Sequence, residues 1–549
     1  FGYGDGGGGP DAFMIESLRR TSDLLGVPKS TTRDPNEFFD RLEREAGDFA
    51  TIEGELYFEY HRGTYTSQAE VKRLNRLIEG RLQTLELLCS LSQLVGKKTP
   101  SRDEIEKLWR VLLVNQFHDI LPGSSIGEVY VRTRRELSEL AAQAEALSQK
   151  LLDGLSTTGA ATPFNPVGFS RGEIVAGPDG AQKHIEAKPF SAGRVTDTVE
   201  TVRIDETAGD IILDNAHLRA VLTKSGHLRS LTHLASGREA IAGEANRFVQ
   251  FDDRPTEYEA WDIDPFALET GRETPSAEHY KIVSHGPLRA EVRFERRIGK
   301  SSRMTQTVRL DAGSQRLDFD TEVDWHERRT LLKAVFPLAP KSPRATYEAM
   351  FGAVERPTHA NTDADLAQYE VPGHRWADLS EPGFGVSLLT DSRYGYATFG
   401  STMSLSLLRG TQSPDRDADI GVHRLRYALY PHDGDWRQGE TVAEAARFNR
   451  PLLWAKGALP ESLSRSLVSA QPLNVVVDTI KPAEDGKGWV VRLYESSGTS
   501  TNTKLSFGVP VRRVERSNTL EDALGAVALD GHTCMLSLHP FQIVTLRVE

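Results

Sequence analysis

The sequence has no stretch of about 18 consecutive apolar residues, so it predicts no membrane-spanning helix. It has only two cysteines, Cys89 and Cys534, which lie in separate regions. A disulfide framework is therefore not expected, and the composition favours a reducing compartment such as the cytoplasm. Acidic residues outnumber basic ones, and the net charge of -12 argues against a nucleic-acid partner, whose phosphates need a basic surface.

The sequence also lacks an initiator methionine and a leader peptide before Phe1, so we interpret it as the start of a fragment. No short-period repeat is present, and no low-complexity tract follows residue 10. At 549 residues, the chain predicts three or four domains, because single hydrophobic cores stop growing at about 250–300 residues.

Helical patterns occupy the first part of the chain. Short helices are predicted over 14–25 and 38–50, with an extended, strand-like segment at 55–60. Three longer helices then follow with short connections, which predicts a three-helix bundle. The second begins at Ser101-x-x-Glu104, which has the form of a capping box, and the third is predicted over 127–152. The first helix carries a single apolar stripe: Leu74, Leu77, Ile78, Leu82, Leu85 and Leu88.

Helical periodicity disappears beyond Phe164, and short alternating strands separated by turn residues replace it. This pattern predicts antiparallel β-sandwiches, the first of them very large and extending to about Pro451. A last β segment covers 475–549. The clearest predicted strands are 211–213, 218–222, 290–294, 304–310, 317–323, 488–494, 504–507 and 541–548.

The stretch Leu112–Ile126, LLVNQFHDILPGSSI, carries the main candidate chemistry. Its apolar residues continue a helical pattern, Pro122-Gly123 stops the helix, and Ser125-x-x-Glu128 is typical of the cap of the next one. His118 and Asp119 are therefore expected in the last turn before the break, where side chains can point into a cleft. A His–Asp pair at a helix end is ordinarily a solvated or hydrogen-bonded pair, and that interpretation stays open on the pair alone.

The first ten residues, FGYGDGGGGP, are rich in glycine. Their spacing satisfies the G-x-G-x-x-G pattern formally, but no strand precedes residue 1, and no Lys-Ser/Thr follows to make a phosphate loop. An engineered glycine linker is a further alternative. Glycines allow the backbone to approach a ligand closely, and Asp5 among them would be a carboxylate with little cover.

Several of these segments resemble the glycoside hydrolase family 38 α-mannosidases of the cytosolic and vacuolar branch. NQFHDILPGSS resembles the zinc-site signature of that family, and FGYGDGGGGP resembles a segment that lines its active site at the end of the α/β barrel. In the β half, DNAHLRAVLTKSGHLRSL, FGAVERPTHANTDAD and RYALYPHDGDW resemble further blocks. The resemblance implies a multidomain α+β protein, with a three-helix bundle followed by β-sandwiches that include a galactose-mutarotase-like supersandwich.

The resemblance also implies a retaining exo-α-mannosidase that uses zinc in a double displacement. It implies that His118 is a zinc ligand, that Asp5 and Asp119 are catalytic, and that His61 and Tyr347 contact the sugar. The family's other zinc ligands and its nucleophile match nothing in this sequence, so the zinc site is expected to be incomplete here. The alternative is a non-catalytic carbohydrate-binding β-sandwich or scaffold module, which would have no reason to keep His118 beside Asp119 in this string.

The same resemblance divides the chain into a tail of the catalytic barrel at 1–27, the helical middle domain at 28–155, the supersandwich at 160–458 and a C-terminal β domain at 459–549. The implied partners are a mannose-containing oligosaccharide and the missing N-terminal catalytic domain. No nucleic-acid or membrane partner is expected, and a homo-oligomer is left open. The implied location is the cytoplasm.

Overall fold

The structure is a computed structural model that describes residues 1–197 and 200–549, and it divides the chain into two compact units. The first unit, Phe1–Leu56, contains a 3₁₀ turn at Gly4–Gly6 and two helices, α1 (Ala12–Thr21) and α2 (Pro35–Glu45). Each helix begins at an aspartate whose carboxylate accepts a hydrogen bond from a first-turn amide, Asp11 for α1 and Asp34 for α2. Both helices are confirmed, although each ends four or five residues before its predicted end.

The second unit, Tyr57–Glu549, starts with three long helices, α3 (Ala69–Leu94), α4 (Arg102–Asn115) and α5 (Gly127–Leu155). They pack against one another as the predicted bundle, and every member of the leucine stripe of α3 is buried except Leu77, which is half-buried. The capping box of α4 is present as predicted. The other helical segments of this unit are 3₁₀ turns at Arg62–Tyr65, Pro265–Thr270 and Glu461–Ser464, and helices α6 (Asp363–Leu366) and α7 (Thr441–Asn449).

The strands of the second unit follow the bundle, and we number them β1 to β35. In chain order they are Thr162–Asn165, Arg171–Ala176, Gln182–Ala187, Ser191–Ala192, Arg194–Thr196, Arg203–Glu206, Asp210–Asp214, Leu218–Thr223, Leu228–His233, Arg238–Glu239, Arg247–Asp252, Arg272–Glu273, His279–His285, Arg289–Ile298, Ser302–Asp311, Leu317–Trp325, Thr330–Pro337, Arg344–Ala349, Gly352–Pro357, Val371–Pro372, Trp376–Glu381, Phe384–Thr390, Gly395–Phe399, Thr402–Arg409, Gly421–Asp433, Leu453–Ala455, Val468–Gln471, Val475–Pro482, Trp489–Glu495, Thr501–Phe507, Val514–Ser517, Ala523–Val527, Leu529–Asp530, Thr533–Leu538 and Ile543–Val548.

The largest core lies between three antiparallel sheets. A nine-stranded sheet has the order β13-β14-β15-β16-β25-β22-β21-β18-β19, a six-stranded sheet has β12-β11-β17-β24-β23-β20, and a five-stranded sheet has β10-β9-β8-β7-β6. Inward side chains alternate along the strands, and Phe319 of β16 stacks on its register partner Tyr427 of β25 with ring centroids 5.0 Å apart. The predicted β-sandwich architecture is confirmed.

A second core joins the helical bundle to the C-terminal strands. It combines buried residues of α3, α4 and α5 with those of the sheets β27-β30-β34-β33 and β28-β29-β35-β31-β32. Strand β1, directly after α5, pairs with β26, so both ends of the intervening β region meet in one small sheet. The bundle and the last β segment therefore share buried surface, although more than 300 residues separate Leu155 from Val468 in the chain.

Some predictions from periodicity were wrong. Residues 55–60 form no strand, and the contact that Tyr57 makes there is a side-chain one, from its hydroxyl to the Glu370 carbonyl. Helix α7 was not predicted, because alternating strands surround it on both sides. Among residues 1–197 and 200–549, no helix combines the length and hydrophobicity that crossing a membrane requires.

The ion pair between Arg409 and Asp253 holds the start of the helical region on the β-sandwich. Both side chains are fully buried, and Asp253 accepts two hydrogen bonds from the guanidinium at 2.7 and 3.1 Å. The same guanidinium donates to Ser67 Oγ at 3.1 Å and to the Asp262 carbonyl at 2.7 Å. Gly63 lies against Arg409 so closely that a Cβ at this position would overlap the guanidinium.

We expect Gly63→Ala to destabilise the second unit by about 2–4 kcal/mol, because the added methyl group must displace a buried, paired guanidinium. Urea unfolding measured by circular dichroism checks this. The matched control is Gly80→Ala in α3, where a Cβ would meet only the Arg450 side chain at 3.7 Å. That variant should be neutral or more stable by up to about 1 kcal/mol, because alanine is the better helix former. Equal effects of the two substitutions would contradict the central role of Arg409.

Candidate functional site

The candidate site is a turn that connects α4 to α5. Helix α4 ends at Asn115, three residues before His118, so both His118 and Asp119 lie in the turn and not in the last helical turn as predicted. After Asn115 the backbone continues as a turn, in which the Phe117 carbonyl accepts hydrogen bonds from both the Ile120 and Leu121 amides. The predicted cap at Ser125 is also wrong, since α5 begins after Ile126 with no side-chain cap.

His118 and Asp119 form an exposed pair of side chains whose nitrogen and oxygen atoms could act as ligands. The Nε2 atom of His118 lies 3.4 Å from Oδ2 of Asp119, and the two side chains are 74% and 46% exposed. The imidazole ring also contacts Phe117, with ring centroids 4.3 Å apart. An imidazole nitrogen and a carboxylate oxygen are thus presented together to solvent, where a metal ion or a sugar hydroxyl could reach both.

The backbone carbonyl of Asp119 organises the rest of the turn. It accepts hydrogen bonds from the Ser124 amide at 3.2 Å, from the Ser125 hydroxyl at 2.9 Å and from the buried Tyr130 hydroxyl at 3.0 Å. The Asp119 carboxylate accepts a further bond from the Ser124 hydroxyl at 2.8 Å, through Oδ1. Because Oδ1 is bound to the turn, Oδ2 is the oxygen that faces His118.

A buried lysine supports the turn from the interior. The Lys72 ammonium group of α3 donates to the carbonyls of Ser67, Leu121 and Pro122, the last two at 2.8 and 3.3 Å. Burial lowers the pKa of Lys72 to about 7, against the opposing effect of Asp419. Gly123, at a φ of 95°, lies directly against Ser67, so a side chain at this position would be excluded by both space and conformation.

His61 lies at the other end of the segment that reaches Ser67. It is exposed, has a φ of 65° and directly precedes the 3₁₀ turn at Arg62–Tyr65. Its ring contacts Phe58, with centroids 5.1 Å apart. The amide of Gly63 donates to the Trp261 carbonyl at 2.8 Å, which ties this turn to the β region. The segment 61–67 and the His118 turn therefore meet at the contact of Ser67 with Lys72 and Gly123.

Tyr347 is in a different environment from His61 and His118. Its side chain is only 1% exposed, its hydroxyl donates to Thr398 Oγ1 at 2.7 Å, and the Arg356 guanidinium lies 4.8 Å from its ring centroid. Burial raises the pKa of Tyr347 to about 12. The described arrangement places it in the core of the β-sandwich, and its predicted sugar contact stays a prediction.

Asp5 belongs to the first unit, within the 3₁₀ turn at Gly4–Gly6, and its side chain is exposed. The glycine loop closes on itself, since the Tyr3 amide donates to the Gly8 carbonyl at 3.1 Å. The Tyr3 hydroxyl donates to Asp11, the capping residue of α1, at 2.6 Å. The loop thus presents the Asp5 carboxylate on a short, locally ordered turn.

The zinc site that the resemblance implies would draw on the ligand atoms of this turn. The nitrogen of His118 and the oxygen of Asp119 are of the right chemical type, but a catalytic zinc site needs three protein ligands. Within residues 1–197 and 200–549, no group of three His, Cys, Asp or Glu side chains is placed to hold a metal ion. The two ligand atoms do not by themselves make a zinc site.

The sequence patterns did not single out Lys72 or Tyr130. Lys72 follows the buried Val71 and precedes Leu74 in the apolar stripe, so a lysine on the inner face of α3 was a visible anomaly. Tyr130 is followed at helical spacing by Leu137, Ala141 and Ala144, so its burial could have been predicted from the sequence pattern of α5. The carbonyls that these two groups bind lie in a turn, and no periodicity could have shown that contact.

Comparison with known proteins gives three matches along the chain. Residues 59–155 match the α-mannosidase middle domain, residues 213–417 match the glycosyl hydrolases family 38 C-terminal domain, and residues 474–546 match the family 38 C-terminal β-sandwich domain. The chain therefore belongs to glycosyl hydrolase family 38 and carries these three domains of it.

Individual relatives agree with this placement. The whole chain is 37% identical to α-mannosidase 2C1 of Homo sapiens, 33% identical to α-mannosidase G of Dictyostelium discoideum and 31% identical to an α-mannosidase of Saccharomyces cerevisiae. It covers 55%, 57% and 54% of those proteins, so it spans about half the length of the curated relatives it matches. The crystal structure of an α-mannosidase from Enterococcus faecalis has the same fold, with a TM-score of 0.80 at 15% identity, over 98% of this chain and 75% of that one.

We expect Tyr130→Phe to loosen the His118 turn, because the phenyl ring keeps the packing while the Asp119 carbonyl and the Ser125 amide lose a partner. The free energy of unfolding should fall by about 1–2 kcal/mol. Amide hydrogen exchange, measured by mass spectrometry, should rise in peptides that cover residues 116–126. Tyr280→Phe is the matched control, since the Tyr280 hydroxyl donates to Glu206 at an exposed position. Its loss should leave the hydrogen exchange of the peptides that cover residues 116–126 unchanged. Unchanged exchange in Tyr130→Phe would contradict the role of this hydroxyl.

Proposed function

We propose that this chain is part of a retaining exo-α-mannosidase that releases α-linked mannose from oligosaccharides. The observation that carries the proposal is the turn NQFHDILPGSS, which presents His118 and Asp119 together to solvent. This turn lies in a chain that is homologous along its whole length to proteins named α-mannosidase. The free, buried state of Cys89 and Cys534 supports the further proposal of a cytoplasmic location.

His118 is proposed to provide one ligand of a zinc site in the longer protein. A zinc ion bound there would act as a Lewis acid and as a template for the vicinal hydroxyls of the sugar. The part of the site that this chain contributes is the orientation of the imidazole. Oδ2 of Asp119 lies 3.4 Å from that imidazole, while the Ser124 hydroxyl donates to Oδ1 and fixes the carboxylate. In a protein of the relatives' length, the remaining ligands would come from the half that this chain does not span.

The proposed reaction needs two carboxyl groups about 5–5.5 Å apart, one as nucleophile and the other as general acid and base. Asp5 is the proposed acid/base, because its carboxylate is exposed on a glycine loop to which a sugar ring could lie close. His61 and Tyr347 are proposed to contact or shape the sugar site, and Asp119 to act beside His118. The boundaries 1–27, 28–155, 160–458 and 459–549 are proposed as the domain division of this part of the enzyme.

In a longer protein that has the full length of the curated relatives, we expect His118→Ala to abolish hydrolysis of an aryl α-mannoside. A zinc site that loses one ligand loses its geometry, whereas the fold should persist because the His118 ring is 74% exposed and packs on Phe117 at the surface. Activity, zinc content and circular dichroism are measured on the same preparation. His539→Ala, at another exposed histidine, is the control and should behave as wild type. Activity within threefold of wild type with zinc retained would contradict the assignment.

The role of Asp5 can be tested through the leaving group. Protonation of the departing oxygen matters greatly for a sugar and little for an activated phenol, so Asp5→Asn should lose about 10²–10⁴-fold on a mannose disaccharide. On a dinitrophenyl α-mannoside, Asp5→Asn should cleave the glycosidic bond at a nearly normal rate. The second step, in which water releases the sugar from the enzyme, would still lack its general base. Added azide needs no base and should restore turnover.

The control for this test is Asp11→Asn, which alters the cap of α1 in the same unit and leaves Asp5 in place. It should affect both substrates alike, with no rescue by azide. Equal losses of Asp5→Asn on both substrates, again without rescue, would assign Asp5 a positioning role and place the acid/base elsewhere.

A further inference from the structure

A deep cleft runs along the inner face of α4, between the helical bundle and the β domains. It consists of two adjoining cavities of about 480 and 350 Å³, which lie within the usual range for ligand sites. We call the pair the α4 cleft. Both cavities are lined by the same four residues at their junction, which are Gln83, Trp109, Phe351 and Asp478.

The cleft begins at Pro100 and Arg102, near the start of α4, and reaches Gln116, two residues before His118. A helix rises about 1.5 Å per residue, so the distance from Arg102 to Gln116 is about 21 Å along the axis. This length suits an extended chain of sugar rings and exceeds what one monosaccharide would need. One end of the cleft is therefore adjacent to the candidate site in sequence, and the other lies well away from it.

Two half-buried aromatic rings form the junction. Trp109 projects from α4, and Phe351 projects from the two-residue loop that joins β18 to β19. Phe351 has a φ of 55°, which is rare for a bulky residue and costs backbone energy, and its ring contacts Tyr494 with centroids 5.3 Å apart. The backbone at Phe351 thus has a conformation that glycine would adopt more easily, and the sandwich holds the ring at the cleft.

Polar side chains of the kind that bind hydroxyl groups surround the two rings. The nine-tenths buried Glu86 carboxyl interacts with the Trp109 indole N–H, and burial raises the pKa of Glu86 to about 7. Asp478 accepts from Gln83 at 3.3 Å and from Thr479 at 2.7 Å. In the second cavity, Nη2 of Arg76 is buried and, within residues 1–197 and 200–549, has no hydrogen-bond partner.

This combination matches the chemistry of an oligosaccharide. Sugar rings have apolar C–H faces that stack on indole and phenyl rings, and their equatorial edges carry hydroxyls that bond to carboxyl, amide and guanidinium groups. A gap that only separated two domains would have no need of a strained aromatic loop or of a buried carboxyl facing its interior.

We propose that the α4 cleft binds several sugar units of an α-mannosyl oligosaccharide, with Trp109 and Phe351 as stacking platforms. The proposal rests on the proposed function for the identity of the sugar, and it adds to that function a binding region remote from the His118 turn. Glu86 and Asp478 then select hydroxyl positions on the rings that stack at the junction.

Isothermal titration calorimetry of the 549-residue chain with linear α-mannotetraose tests the proposal. We expect saturable binding at millimolar sugar or below, and no binding of cellotetraose. Trp109→Ala should weaken the binding about tenfold, the loss expected when about 50 Å² of apolar contact with a sugar face is removed. Glu86→Gln, which keeps the shape and removes the charge, should also weaken it.

The matched control is Trp454→Ala, because Trp454 is a half-buried tryptophan of β26 outside the cleft. It should bind the tetraose as wild type does. If circular dichroism shows that Trp109→Ala does not fold, Phe351→Ala in the loop between β18 and β19 replaces it. Hydrogen exchange of peptides covering 100–116 and 349–354 should slow when the tetraose binds.

Absence of saturable binding, equal binding of cellotetraose, or wild-type affinity in the Trp109 and Phe351 variants would overturn the proposal. The assay measures binding and requires no hydrolysis, so its failure is separate from failure of the proposed function. If His118→Ala loses activity and the chain does not bind the tetraose, the mannosidase assignment stands and only the proposed sugar binding in the α4 cleft is rejected.

Discussion

The buried ion pair between Arg409 and Asp253 is the interaction on which the second unit depends. A guanidinium without its carboxylate would be very costly at full burial, and here Asp253 is supplemented by the Ser67 hydroxyl and the carbonyls of Glu259 and Asp262. These partners come from the segment before α3 and from the loop after β11. One side chain thus fixes two otherwise irregular segments, and only glycine at position 63 leaves room for it.

The candidate site is connected to that centre by a short series of contacts. Ser67 bonds to Arg409, Lys72 bonds to the Ser67 carbonyl, and the same ammonium group holds the carbonyls of Leu121 and Pro122 in the site turn. The Asp119 carbonyl and Oδ1 are used inside the turn, which leaves Oδ2 and the imidazole facing outward. Functional side chains supported by satisfied buried groups are held close to one geometry, as a catalytic or metal-binding constellation requires.

The helical bundle contacts the β domains through a packed core on α3 and borders an open cleft on α4. The shared core buries the leucine stripe of α3 against the C-terminal strands, which joins these domains firmly. Beside it, the inner face of α4 around Trp109 remains open as a cleft with aromatic and charged walls. The same helix that carries Trp109 leads into the turn with His118, so rigid packing of α4 would position both regions together.

The sequence by itself determined the three-helix bundle followed by β-sandwiches, the capping box of α4, the apolar stripe of α3 and the position of His118 and Asp119 beside the Pro122-Gly123 break. These are local properties, set by side-chain periodicity and by the special backbone of proline and glycine. Only the tertiary structure decided that Lys72 supports the site turn, that Tyr347 is buried on Thr398 and that Phe351 faces Trp109. Each of these contacts joins residues that are between 49 and 242 positions apart in the chain, or links a side chain to a carbonyl in a distant turn. Such pairings depend on how sheets and helices pack, and one-dimensional patterns do not contain that information.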